Sequence, residues 1–304
     1  VVIASVACRA PQKAPVVDAA PDVISVAVYD AGDARDAAPD APDASRVAPE
    51  GMLYVPPGTF TMGANEGGEE DEHPAHQVTL GGFFLDAVPV TNEAYAACVA
   101  SGACRRNDPR VATHATAFLA PKHPVVGVSW DDAHAYCAWN KKRLPREAEY
   151  ERAMRDDDAR RFAWGNDPPT SARAAFGRPL DAGTTDEVGA HPLGRGPFGH
   201  DDLAGNVWEW CEDEYDPRAY TRSTADRGVP GSCDEIRATQ DELREKHLEG
   251  FTGSNPIPFG CDRVLRGGAF NYDAAGLRAT NRVHHPASFR LLMAGFRCAL
   301  SPNE

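Results

Sequence analysis

The sequence predicts an α+β domain that is loop-rich and low in regular secondary structure, preceded by a disordered tether. Three observations carry this. The 304 residues include 27 glycines and 25 prolines, and few runs hold a helical or strand period for long. The apolar share is 42% and the mean hydropathy −0.44, enough to bury a sizeable core beside a polar appendage. Eight cysteines, at 8, 98, 104, 137, 211, 233, 261 and 298, are scattered without a Cys-x-x-Cys pair, so they do not suggest a zinc site. They suit disulfides in an oxidising compartment. Setting Cys8 aside leaves an odd number, so one thiol stays free. The net charge of −14 speaks against duplex nucleic acid as a partner, since no basic stripe exists to neutralise phosphates.

Residues 1–8, Val-Val-Ile-Ala-Ser-Val-Ala-Cys, look like the tail of a bacterial lipoprotein signal with Cys8 as the acylated residue. The basic start of such a signal lies outside the chain. Residues 9–50 are rich in Ala, Pro and Asp. Acidic repulsion and proline keep such a segment extended, and it has too little apolar surface for a core. It reads as a tether, with one transient strand at Val23–Val28.

The folded domain, residues 51–304, opens with two short strands around Pro56-Pro57-Gly58. An acidic surface loop follows at 64–76, then strands at Gln77–Leu80 and Phe83–Val88. Thr91 or Asn92 caps a helix carrying Tyr95, Cys98 and Val99 on one face. Cys98 and Cys104 flank its end, where a disulfide would staple it. His123–Trp130 reads as a buried strand. Ser129 caps the helix Trp130–Asn140, whose first turn holds Asp131 and Asp132 and whose inner face is Ala133, Tyr136, Cys137 and Asn140. Arg143–Ala153 is the next helix, with Pro145 in its first turn. Residues 166–201 lack periodicity. Residues 212–262 form an excursion with one charged, solvent-facing helix at Asp234–Leu248. Strands at Arg263–Phe270 and Ala294–Leu300 close the chain.

One stretch resists this scheme. Asp202-Leu203-Ala204-Gly205-Asn206-Val207-Trp208-Glu209-Trp210-Cys211 mixes acids and indoles in no clean period. Each indole N–H needs an acceptor and each buried carboxylate needs a donor or a cation. By composition it is a core-forming turn anchored by two tryptophans.

The motifs together resemble the formylglycine-generating-enzyme, or sulfatase-modifying-factor, family. They are Pro56–Gly63, Pro89–Asn92, Pro124–Trp130, Lys142–Glu151, Trp164–Asn166, Gly205–Trp210, Arg263–Gly268 and Gly295–Cys298, in family order. The resemblance implies a C-type-lectin-like topology and a disulfide between Cys137 and Cys298. It also implies a structural calcium ion held by the side chains of Asp202 and Glu209 and the carbonyls of Gly205 and Val207, hard oxygen donors of the kind calcium prefers. A second calcium site in the family uses an asparagine after the Trp-Gly-Asn segment. Ala174-Ala175-Phe176 offers no such oxygen, so that site is not expected.

The region implied to be catalytic departs from the pattern. Oxidising members bind copper through two cysteines, five apart, after the Gly-Gly pair, and convert a substrate cysteine to formylglycine. Here Tyr272 and Leu277 stand at those positions and Ala269 at that of a serine. A phenol and an isobutyl group cannot form a bis-thiolate copper site, so copper is not expected and no catalytic residue is assigned. Tyr272, Asp273, Asn281, Arg282, His284 and His285 are the candidates for lining a ligand pocket. As neighbours on a strand the two histidines point to opposite faces, so they cannot share a metal there. The expectation is a cell-envelope protein, lipid-anchored to a bacterial membrane, that binds a peptide, a glycan or another envelope protein. Rival readings are an oxidoreductase with different metal chemistry and a lectin-like adhesin.

Overall fold

Pro56 and Pro57 separate two strands that never pair with each other. The computed structural model describes residues 48–181, 183–222, 224–246 and 260–302; Cys8, the strand at Val23–Val28 and almost all of the tether lie outside them. Strand β1 (Met52–Val55) pairs antiparallel with β4 (Phe83–Asp86), and β4 with β9 (Ala299–Leu300). Strands β2 (Gly58–Met62) and β3 (His76–Leu80) form a separate hairpin. A four-stranded sheet holds β7 (Val283–His285), β6 (Arg263–Arg266), β5 (Trp208–Glu214) and β8 (Ala294–Gly295) in that order, with β8 parallel to β5. No strand exceeds seven residues among those described, so loops carry much of the packing.

Five α-helices accompany the sheets among the described residues. Helix α1 (Asn92–Ser101) is capped by Thr91, whose hydroxyl accepts from the Ala94 N–H. Asn92 instead donates its amide to the carbonyls of Phe118, Ala120 and His123. Helix α2 (Arg110–His114) is a single turn. Helix α3 (Trp130–Trp139) starts with the expected Ser129 cap in a box with Asp132. Asn140 is exposed rather than on its inner face, because the helix has ended one residue earlier. Helix α4 (Glu147–Arg155) begins after Pro145, not at it. The Arg146 N–H is taken by Glu149 and the Glu147 N–H by Asp213, which fixes the first turn there. Helix α5 (Cys233–Glu245) is shorter than its charge pattern suggested, and it buries Ile236, Thr239, Gln240 and Leu243 rather than lying free in solvent.

Two expected strands are revised. Residues 124–129 are buried, but the segment forms no ladder. Their backbone bonds go singly to separate partners, Val125 N–H to the Val90 carbonyl and Gly127 N–H to that of Leu291, and Gly127 sits at φ +69°. The last strand is split, since β8 joins one sheet and β9 another. Between them Arg297 and Cys298 are fully buried. No helix among the described residues is long and apolar enough to cross a membrane.

Helix α4 carries its charges into the interior. Its sequence, Glu-Ala-Glu-Tyr-Glu-Arg-Ala-Met-Arg, is half charged, yet all nine residues are buried. The charges are paired across elements. Glu147 accepts from Arg266 and, through both oxygens, from Arg282. Glu151 accepts from Arg266, Arg155 and the Gly63 N–H. Burial raises the pKa of Glu147, but Arg282 and Arg266 outweigh that and hold it below its ordinary value. On the apolar side Ala148, Tyr150, Ala153 and Met154 join a core with β2, β3 and β4. A second core packs α1 and α3 against Trp208, Trp210 and Phe296. A third gathers Val111, Phe118, Val126, Val207 and Phe270. The segment from 202 to 211 contributes to all three cores through Leu203, Val207, Trp208 and Trp210, which explains its mixed composition.

Candidate functional site

The glycine pair after β6 makes the site possible. Gly267 lies at φ +97° and Gly268 at φ +80°, a region L residues rarely adopt. A Cβ on Gly267 would stand 2.6 Å from the Tyr150 hydroxyl, and one on Gly268 2.7 Å from the Gly276 carbonyl. The strand therefore stops and the chain turns into the wall 269–277. Ala269 and Phe270 are buried, while the next side chains emerge. Tyr272 is 37% exposed, its ring edge-on to Trp208 at 5.2 Å. Asp273 caps the 3-10 turn Ala274–Leu277 by accepting from the Ala275 N–H. Leu277 is 0% exposed and packs in the first core. The two positions of the implied copper pair thus part company, one at the surface and one in the interior.

Tyr272, Asp273, Asn281, Arg282, His284 and His285 all border one open cleft of about 770 Å³. They are not equally available in it. The side chain of Asn281 donates to Glu72. His284 is buried, its Nδ1 2.8 Å from Asp262 Oδ2 and its ring 4.2 Å from that of Tyr215. His285 is half-buried beside Phe289; burial and then His284 lower its pKa, which favours the neutral ring. Arg282 borders the cleft, but its guanidinium is committed to partners in the interior. It is 1% exposed, forks onto Glu147, donates to the carbonyls of Asp71 and Asp216, and lies against the rings of Tyr215 and Tyr220.

Sequence reasoning missed Glu69, Asp262, Asn271 and Arg278, which also line the cleft. It also placed the whole 64–76 segment at the surface. Asp71 and Glu72 are in fact buried, and Glu72 accepts from Arg278, Thr280 and Asn281. Acid residues in a loop look solvated in one dimension, and their side-chain partners lie far along the chain, Tyr215 144 positions from Asp71 and Arg278, Thr280 and Asn281 more than two hundred from Glu72. The register of β6 and β7, which brings Asp262 to His284, offered no local signal either.

Behind the cleft lies the turn from 202 to 207. Asp202, Gly205 and Asn206 all have positive φ, at +55°, +87° and +66°. Asn206 earns its place through four bonds: its side chain accepts from the Asp186 N–H and donates to the Asp186 carbonyl, and its backbone bonds Ala175 and Phe270. Asp202 Oδ2 accepts from the Gly189 N–H, and burial pushes its pKa up to about 6. Glu209 is fully buried and faces Arg297, with Oε2 2.7 Å from Nε and Oε1 2.8 Å from Nη2. The Tyr150 hydroxyl donates to Oε1 as well. Trp210 finds the Val128 carbonyl, whereas the buried Trp208 indole N–H has no protein acceptor.

The donor set fits calcium in part. Two carboxylates and two carbonyls are hard oxygens, and a raised pKa at Asp202 marks a buried carboxylate that a cation would stabilise. Glu209 already accepts three hydrogen bonds of the roughly four its oxygens can take, so it has room for an ion through one oxygen and is satisfied without one. Among the described residues the one group of three with metal-ligand spacing is Glu214, Cys233 and Cys261. Its two sulfurs are joined in a disulfide, which removes them as thiolates. Disulfides also join Cys98 to Cys104 and Cys137 to Cys298. Cys211 is the free thiol among the described residues and is buried.

Residues 37–302 match the family model described as "Sulfatase-modifying factor enzyme 1-like domain". The chain is 33% identical to "Serine/threonine-protein kinase pkn1" of Chlamydia caviae over 82% of its own length and 37% of that protein's, so it spans little more than a third of that relative. It is 30% identical to the "Formylglycine-generating enzyme" of Streptomyces coelicolor, covering 82% of this chain and 88% of that one. It is also 30% identical to the "Hercynine oxygenase" of Mycolicibacterium smegmatis, covering 81% and 60%. Among solved structures, PvdO from Pseudomonas aeruginosa superposes with a TM-score of 0.61 at 24% identity, covering 82% of this chain and 94% of that one.

Proposed function

The chain belongs to the sulfatase-modifying factor enzyme 1-like family, and from that membership we propose that it acts as a ligand-binding module of the bacterial cell envelope rather than as a generator of formylglycine. The observation that carries the reading is the separation of Tyr272, at the cleft, from Leu277, in the core. Neither supplies the soft sulfur a copper centre of this kind needs. The free thiol among the described residues, Cys211, is held well above the ordinary thiol pKa by burial, which makes it a poor nucleophile and ligand.

What the cleft offers instead is an exposed phenol beside carboxylate, amide and imidazole groups, a composition suited to recognising a polar ligand. A peptide, a glycan or another envelope protein are the classes that fit. Relatives named as a formylglycine-generating enzyme, a hercynine oxygenase and a kinase support a family in which one fold accompanies several activities. Peptide and glycan arrays probed with the purified chain test the reading. Hits are expected to weaken roughly tenfold in Tyr272→Ala, the loss of an exposed aromatic anchor, at an unchanged melting temperature. Hits that Tyr272→Ala leaves intact remove the cleft from the account.

The second reading, an oxidoreductase with different metal chemistry, draws on Asp262 and His284, since a carboxylate on one ring nitrogen is how many metal-binding histidines are oriented. Stoichiometric iron or copper in the purified chain, with oxygen uptake, favours it over the first. Calcium belongs to the proposal as a structural ion. Asp202 and Glu209 would hold it with the carbonyls of Gly205 and Val207, and it would cross-link the turn behind the cleft.

Envelope localisation rests on the cysteines. Three disulfides among the described residues suit an oxidising compartment, and Cys8 would anchor the chain through a lipid. Membrane fractionation is expected to be lost in Cys8→Ser; unchanged fractionation refutes the anchor.

A further inference from the structure

We infer that a second cleft, lined by Arg155, Arg160, Arg161 and Arg278, binds a tetrahedral oxyanion, sulfate or phosphate, free or as an ester. This cleft holds about 550 Å³ and its other wall is the loop from Gly63 to Gly68. It adjoins the Tyr272 cleft, with which it shares Arg278, but its remaining arginines take no part in the reading above.

The concentration of guanidinium groups is out of keeping with a chain of net charge −14. Four arginines and one carboxylate, the exposed Glu66, line the wall. Ion pairing explains part of this. Arg155 pairs with Glu151, Arg278 with Glu72 and Arg160 with Asp158. It does not explain the rest. Arg161 is exposed, lies over the Phe162 ring at 5.4 Å, and has no carboxylate in ion-pair range among the described residues. Arg155 is 5% exposed, and its Nε has no protein acceptor; the Nε of Arg278 is likewise buried and unmatched. A buried charged donor without an acceptor is costly. Several donors from separate side chains around one space suit a tetrahedral ion, which accepts from several directions. A planar carboxylate is satisfied by a single guanidinium fork.

The backbone is compatible with such a guest. Gly67 and Gly68 both have positive φ, and a Cβ on Gly68 would lie 2.4 Å from a Glu72 oxygen. A side chain at the second position would be strained and crowded, and glycine keeps this stretch of the cleft wall free of side chains. Glu66 opposes an anion in the same wall and sets the sign of the decisive control.

Calorimetric titration of the full chain with sodium sulfate and, separately, sodium phosphate, against sodium chloride at equal ionic strength, tests the inference. Saturable binding is expected for both oxyanions. It should weaken roughly tenfold in Arg161→Ala, the loss of charge-assisted hydrogen bonds, and tighten in Glu66→Gln. Both residues are exposed, so the melting temperature without oxyanion should not move. Arg237→Ala, on the exposed side of α5, should leave binding unchanged. Phosphoserine and an O-sulfated monosaccharide, titrated in turn, distinguish the two sources of the ester. No saturable binding above the chloride control overturns the inference. So does binding indifferent to Arg161→Ala and Glu66→Gln, or weakened equally by Arg237→Ala. A failure of the Tyr272 arrays leaves these outcomes untouched.

Discussion

Glu209→Ala is expected to destabilise the domain by about 3–5 kcal/mol, the cost of leaving a buried charge without its partner, and so to lower the melting temperature by roughly 10 °C. Arg297 would keep its bonds to the carbonyls of Asp86 and Asp201 but lose its counter-charge, and the Tyr150 hydroxyl would lose one acceptor while retaining the Leu203 carbonyl. This loss does not depend on calcium. The ion is tested by Asp202→Asn instead. An amide oxygen can still accept from the Gly189 N–H, and asparagine tolerates positive φ, but the carboxylate charge is gone. If calcium is bound here, wild type melts higher with calcium than with chelator and Asp202→Asn shows no such difference. A wild type that melts alike in both conditions removes calcium while leaving the Glu209–Arg297 result in place. A Glu209→Ala protein as stable as wild type contradicts the ion pair itself.

Removing the Cys137–Cys298 disulfide is the second large effect. The bridge joins α3 to the segment between β8 and β9 across 161 positions. In the chain-entropy description a loop of that length restricts the unfolded chain by about 5 kcal/mol. Cys137→Ala/Cys298→Ala is therefore expected to lower the denaturant midpoint strongly, measured by fluorescence of the buried tryptophans under oxidising conditions. Cys98→Ala/Cys104→Ala, which opens a loop of only six positions, should lose distinctly less. Equal losses from the two pairs would mean that loop length does not govern the stabilisation here.

How much of this was legible in sequence follows from the range of the interactions. Local signals were readable: the Thr91 and Ser129 caps, the strand break at Pro56-Pro57, and the strand before Gly267. The family resemblance rested on eight ordered motifs and agrees with the match over residues 37–302. The turn from Asp202 to Val207 was visible as an oddity, and its acids were understood to need a donor or a cation. That the cation at Glu209 is Arg297, 88 positions on, was not readable, because no local period links them. For the same reason the sequence does not show that Glu147 on α4 and Arg282 at the cleft satisfy one another in the interior. The candidate cleft was half readable. The side chains that face it follow the glycine pair directly, while Glu69, Asp262 and Arg278 reach it only through the fold.

The central claim is that this member keeps the family fold while the positions of its oxidative centre serve another purpose. The most direct measurement incubates the purified chain with Cu(I), oxygen and a cysteine-containing peptide that the Streptomyces coelicolor enzyme converts under the same conditions, and follows the thiol and any aldehyde by mass spectrometry. The account predicts that the peptide keeps its thiol with this chain and gains an aldehyde with the control enzyme. Oxygen-dependent aldehyde formation by this chain would contradict it, since neither Tyr272 nor Leu277 can hold the metal that step requires.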